Sequence, residues 1–251
     1  MKNRDFNSLK TEAIVIVILI LYMFFLYMDF YNVKLFIASK YIKYLCIVLC
    51  FWLSILTTKN ISIDADIVNH RDTLLLQLGM FITVIADLCL VIFNFYILGV
   101  IFFSLVQITY CARYTTKKFK TILINFFILF LGIALIYVIA SLFVDGINLL
   151  LPISLFYFIS LLTSVSKAIK AWKNHIYTSP SKYRIVFGMI LFLLCDMCVA
   201  LSNLTVILPL SGYFIIRLQQ ITNFLIWVFY LPSQLLLALS GNAKISKIDF
   251  K

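Results

Sequence analysis

The sequence predicts an all-α fold, a polytopic membrane bundle of about eight transmembrane helices forming a single domain over residues 1–251. Three observations predict it. Hydrophobic residues make up 64% of the chain and charged residues 12%, against about a quarter charged in soluble domains, and the mean hydropathy is +1.08. A water-soluble fold has no interior large enough to hide that much apolar surface. Second, the apolar residues fall into eight runs, each near the ~20 residues that a helix needs to cross a bilayer. Third, the basic residues alternate with the runs. Of 21 Lys and Arg, 17 fall in the two tails and in the second, fourth and sixth connections; Lys34, Lys40, Lys43 and Arg217 lie on the other side. That asymmetry places both termini in the cytoplasm, with the cell membrane as the expected location. The net charge of +11 is thereby read as topology, and no nucleic-acid partner is expected.

The elements follow in order. The first span is expected at residues 12–31, after Lys2, Arg4 and Lys10; Asp29 follows the apolar stretch with no small-x-small site beside it, so this is a retained helix and not a cleaved leader. The second, 41–57, opens beside Lys40 and Lys43. The third and fourth, 74–94 and 96–112, form a hairpin with a very tight turn near Asn94 to Tyr96. Merged, they make one run too long for a single crossing. The fifth and sixth are expected at 119–143 and 147–169, and the seventh at 184–206. The eighth, 215–239, carries Pro232, which kinks a helix and frees a carbonyl of the kind that borders cavities. Eight spans of about 20 residues take roughly 160 of the chain and leave no room for a soluble domain.

One pattern repeats. Gly79-Met80 is followed by Asp87, Cys89 and Asn94, and Gly188-Met189 is followed at the same spacing by Asp196, Cys198 and Asn203. The copies lie on the third and seventh spans, which suggests two parallel four-helix halves. The repeat marks Asp87 and Asp196 as the informative pair. A carboxylate deep in a span costs at least ~2.5–3.5 kcal/mol to insert, and the other acids fall in tails, loops or helix ends. Two acids facing one polar cavity push one another's protonation apart. That arrangement serves acetal-type hydrolysis or a proton-coupled transporter. Gln107 and Tyr110, at i and i+3, share a face of the fourth span. Asn223, Tyr230 and Gln234 share one of the eighth, and Asn203 ends the second copy of the motif. Lys40 and Lys43 stand at the outer mouth, to snorkel or to meet a phosphate headgroup.

Other chemistry is argued down. The only histidines, His70 and His175, are expected in connections, so no span offers a His-based metal set or a Ser-His-Asp triad. No metal and no cofactor is expected. The six cysteines lie in or beside apolar runs, and Cys195-x-x-Cys198 lacks the βαβ setting of a redox motif.

Three segments carry a resemblance to a known family. Residues 78–110 read LGMFITVIADLCLVIFNFYILGVIFFSLVQITY, residues 187–201 read FGMILFLLCDMCVAL, and residues 229–240 read FYLPSQLLLALS. In order and spacing they resemble the YhhN-type lysoplasmalogenase family, through Asp87, Gln107 and Tyr110, then Asp196, then Tyr230 and Gln234. Lys40 and Lys43 resemble its lysines ahead of the second span. The resemblance implies eight spans, a membrane lysophospholipid as substrate, hydrolysis of its vinyl-ether bond, and Asp87 and Asp196 as the catalytic residues.

Overall fold

A backbone immersed in lipid must pair its own N–H and C=O groups within the segment, which a helix does. The computed structural model of the protein describes residues 2–31, 33, 38–58, 67–115, 119–144, 146, 148–207 and 213–242. Among the described residues it forms eight long helices: α1 (Lys2–Tyr31), α2 (Ser39–Thr58), α3 (Ile67–Asp87), α4 (Tyr96–Arg113), α5 (Phe119–Phe143), α6 (Leu150–Lys173), α7 (Ser181–Ile207) and α8 (Tyr213–Ala238). All eight are long and apolar enough to cross a membrane. Of the basic residues behind the charge asymmetry, Lys34, Lys59, Lys117, Lys118, Lys244, Lys247 and Lys251 lie outside the described residues.

Two helices begin well before the expected position. α1 begins at Lys2, ten residues before its apolar stretch, because hydropathy marks where lipid begins and not where helical hydrogen bonding begins. α3 begins at Ile67, so His70, expected in a connection, stands exposed on the helix. The α3–α4 turn falls where the sequence predicts it. A π-helical turn, Leu88–Ile92, follows α3 directly, and Asn94 takes a left-handed conformation (φ 57°) before α4 starts.

The chain divides into two compact units. One holds α1, α2, α7 and α8; the other holds α3, α4, α5 and α6. The expected halves, spans one to four and five to eight, are therefore not the packing units. The physical reason lies in the contacts of α8, which packs on α1 and α2 as well as on α7. In that unit Tyr22 donates a hydrogen bond to the Val228 carbonyl (3.1 Å) and Thr57 to that of Ala238 (3.2 Å). In the other unit α4 is the hub, packed on α3, α5 and α6; 61% of its span is buried against 17% of the α5 span. α6 presents Ser160, Ser164, Ala168 and Ala171, all buried, and such small residues let two helices approach closely in lipid. The repeat survives at the level of hairpins, α3 with α4 and α7 with α8.

Candidate functional site

In the α3–α6 unit, Leu76, Met80, Thr83 and Asp87 recur at helical spacing and are all buried. Asp87 is 3% exposed and is the last residue of α3. The next turn widens: the Phe93 N–H donates to the Leu88 carbonyl at 3.1 Å, an i to i−5 bond. Such π turns are rare and are found often at functional sites. Nothing in the composition of Leu-Cys-Leu-Val-Ile announces one.

Gln107 and Tyr110 on α4 are both fully buried. Although they share a helix face, they address different neighbours. Three residues turn a helix through about 300°, leaving the two side chains some 60° apart. Gln107 Oε1 accepts from Ser164 Oγ of α6 at 2.5 Å, and its Nε2 has no hydrogen-bond partner. The Tyr110 hydroxyl points to Met80 Sδ of α3 (3.4 Å), and its ring stacks on Tyr114. The ring lies over Gly79, where a Cβ would sit 2.5 Å from Tyr110 Cε1.

The same unit contains a charged cluster that sequence reading missed. Arg113, the last residue of α4, grips Asp72 of α3 with two bonds, Nε to Oδ1 (3.0 Å) and Nη2 to Oδ2 (3.1 Å). The Tyr177 hydroxyl donates to Asp72 Oδ1 at 2.7 Å and lies 3.0 Å from the Arg113 carbonyl. Arg71 reaches the Ala112 carbonyl (3.3 Å). Asp72 and Arg113 are about 5% exposed. Burial pushes the Tyr177 phenol well above its ordinary range, and the Asp72 charge pushes it further; burial does the same to Tyr114. Both phenols are therefore neutral at physiological pH. Asp72 and Arg113 are 41 residues apart and Asp72 and Tyr177 are 105 apart; no local spacing signals such a pairing.

In the other unit, Asp196 stands half-buried on α7, at the edge of the buried stripe that runs through Ile185, Met189 and Phe192. Asn203 is exposed, and its amide donates to the Val199 carbonyl of its own helix (3.0 Å). Its neighbour Ser202 makes the interhelical bond instead, to Asn223 Oδ1 of α8 at 2.6 Å. One residue along the chain turns a side chain through about 100°, which decides whether Asn203 or Ser202 faces α8. Tyr230 is buried, edge-on to Phe192 (5.8 Å) and Trp227 (5.5 Å). Gln234 is fully buried, and neither its Oε1 nor its Nε2 has a hydrogen-bond partner. Pro232 lies inside a continuous α8, and the carbonyl it frees, Val228 four residues back, accepts from Tyr22 of α1.

The two lysines before the second span differ. Lys43 pairs with Asp29 of α1 at 2.7 Å, is 14% exposed, and places its ammonium 4.9 Å from the Trp227 ring centre and 5.7 Å from that of Phe25. Ser39 holds the other Asp29 oxygen at 2.7 Å. The Lys40 ammonium lies over the Tyr41 ring (5.2 Å). An open groove of about 370 Å³ runs along α6 past Ile159, Thr163 and Lys167, and none of the expected site residues lines it.

The expected residues fall in both units: Asp87, Gln107 and Tyr110 in one, and Lys40, Lys43, Asp196, Asn203, Asn223, Tyr230 and Gln234 in the other. The YhhN family model matches residues 35–241. No curated protein and no solved structure matches the chain.

Proposed function

From the premise that this chain belongs to the YhhN family, we propose that it is a lysoplasmalogenase-like membrane hydrolase. It cleaves the vinyl-ether bond of a single-chain ether phospholipid, giving a fatty aldehyde and glycerophospho-ethanolamine or -choline. The observation that carries this reading is the family match itself, which takes in both copies of the repeated motif and so both Asp87 and Asp196.

In the proposed reaction one aspartic acid protonates the vinyl carbon remote from the ether oxygen, leaving an oxocarbenium ion. The other, as carboxylate, stabilises that cation and takes a proton from the water that attacks it. The hemiacetal then breaks at the carbon–oxygen bond to the glycerol, whose oxygen leaves protonated, and the aldehyde is released. Asp87 and Asp196 share this work. The unspent hydrogen-bonding groups of Gln107 and Gln234 support the reading. A buried amide without a partner costs about 1–3 kcal/mol per group, and a polar substrate or its water supplies what is missing. The headgroup phosphate is received at Lys40 or Lys43, in competition with Asp29 for the latter. The excess of basic residues in the tails and in the second, fourth and sixth connections supports an orientation in the cell membrane with both termini on the cytoplasmic side.

The test is mass spectrometry of purified protein incubated in detergent with an alkenyl lysophospholipid and, separately, with the matching acyl lysophospholipid. Aldehyde is expected from the alkenyl lipid alone. Asp87→Asn and Asp196→Asn should each lower turnover by about 10²-fold or more, the usual weight of a positioned acid or base. Turnover within threefold of wild type in either variant sinks the scheme.

A further inference from the structure

The turn that follows Asp87 departs from α-helical geometry, and something must hold it there. A π turn is a rare departure inside a helix, and it persists where packing over-determines it. Its central residue is Leu90. Directly against it, on α4, stands Gly99, which is buried. A Cβ at Gly99 would lie 2.3 Å from Leu90 Cγ, 2.5 Å from Cδ2 and 3.1 Å from Cδ1. All three distances are at or below tight contact, so the Leu90 side chain fills the space that any other residue at position 99 would occupy. The exits of the turn are pinned as well. The Phe95 N–H donates to the Cys89 carbonyl (2.8 Å) and the Gly99 N–H to that of Phe95 (2.9 Å), around the left-handed Asn94.

We propose that Gly99 is a positioning residue for Asp87: its bare Cα admits Leu90, Leu90 holds the π turn, and the turn sets the direction of the Asp87 carboxylate. The proposal rests on the reading of Asp87 as catalytic. The geometry behind it is simple. A π turn accommodates one residue more than the α-helical turn it replaces. If the segment relaxes to α-helix, one end rotates against the other by about 100°, one residue's step. The body of α3 is held by the Asp72–Arg113 pair and by Tyr110 over Gly79, and three residues separate the turn from α4, so the change falls on the residues that bound the turn, Asp87 on one side and Phe93 to Phe95 on the other.

Two readouts separate the brace from the reaction. Hydrogen exchange of the purified protein in lipid nanodiscs, followed by mass spectrometry of peptides covering 83–95, reads the turn without any substrate. Exchange there should rise at least tenfold in Gly99→Ala and in Leu90→Ala, with melting temperature in detergent showing that each is folded. The Gly99→Ala/Leu90→Ala double variant, in which the new methyl enters the space the leucine leaves, should exchange more slowly than either single one. Turnover reads the aim of the carboxylate: kcat should fall about tenfold in Gly99→Ala with KM within twofold, and the double variant should regain part of it. Unchanged exchange at 83–95 in both single variants overturns the brace. Raised exchange with kcat within twofold of wild type overturns the link from the turn to Asp87. An active Asp87→Asn variant overturns this proposal together with the catalytic reading, whereas an inactive one beside an unaffected Gly99→Ala overturns this proposal alone. Should Gly99→Ala fail to fold, Leu90→Ala removes the brace from the other side and decides the same question.

Discussion

The α3–α4 and α7–α8 hairpins begin from the same motif and solve the same packing problem by different means. In each, the glycine of the Gly-Met pair lets the second helix approach. In each, an arginine near the start of the first helix reaches a carbonyl at the end of the second, where helix termini leave such groups unpaired: Arg71 to Ala112, and Arg184 to Leu239 at 2.9 Å. From there they part. α3–α4 adds a buried ion pair, Asp72 with Arg113, capped by Tyr177, and places an aromatic ring over its glycine. α7–α8 uses neutral groups: Ser233 donates to the Gly188 carbonyl (2.8 Å) and Ser202 to Asn223. The aspartates follow suit. Asp87 is sealed at a π turn, while Asp196 is half-buried in uninterrupted α-helix. A repeated motif therefore preserves the spacing of an aspartate from its Gly-Met pair, and not the environment it meets.

The largest effect that sharpens this contrast is on the ion pair. Asp72→Asn leaves the Arg113 guanidinium buried without its counter-charge and should cost about 3–5 kcal/mol, read as unfolding in detergent. Arg184→Met, which removes a single bond to a carbonyl at the corresponding corner, should cost about 1–2 kcal/mol. Equal losses would erase the difference between the hairpins.

Next come the glycines. Gly79→Ala drives a methyl into the Tyr110 ring, which is buried and held by Met80 and Tyr114, and should cost about 1–3 kcal/mol. Gly188→Ala meets Leu237 Cγ at 2.9 Å and the Ser233 carbonyl at 3.3 Å, a lesser overlap, and should cost less. The reverse order would mean that Tyr110 moves aside freely.

A smaller effect concerns α8, the helix that has no counterpart of its proline in α4. Tyr22→Phe strands the Val228 carbonyl and should cost about 1 kcal/mol. In a Pro232→Ala background the new N–H pairs with that carbonyl and the cost should vanish, a double-mutant cycle with a definite sign.

The smallest lies on the pH axis. The Tyr177 phenol is held above its ordinary value of 10.0, so the folded state keeps that proton longer than the unfolded chain does. Its contribution is complete below pH 10 and is lost as pH rises toward the folded value. Stability should fall by a little under about 1 kcal/mol between neutral pH and about pH 10.5, and Tyr177→Phe should flatten that part of the decline.

Much of this architecture was legible before any coordinates. The eight spans were readable because lipid enforces both their length and their apolarity, and the α3–α4 turn because a run twice the bilayer thickness must reverse. Asp87 and Asp196 stood out because a charge in a span is costly. Asp29 and Asp72 did not stand out, because acids at helix ends are cheap wherever water reaches them. Only packing shows that each is enclosed by a cation, Lys43 and Arg113. Gln107 and Gln234 were visible as polar residues in apolar helices, but the state of their amides was not, since Ser164 lies 57 residues from Gln107.

By itself the sequence determined what the solvent dictates: an all-helical membrane chain, its eight spans, its hairpin turn and the two aspartates that repeat at one spacing. Tertiary structure alone decided which helices form each unit, that α3 ends in a π turn, that Tyr22 satisfies the carbonyl freed by Pro232, and that Ser202 rather than Asn203 bonds to α8. The physical reason is range. Burial in lipid acts on every residue independently and leaves its mark in local composition. A hydrogen bond or a steric notch needs two partners brought together from distant parts of the chain, and neither partner carries the address of the other.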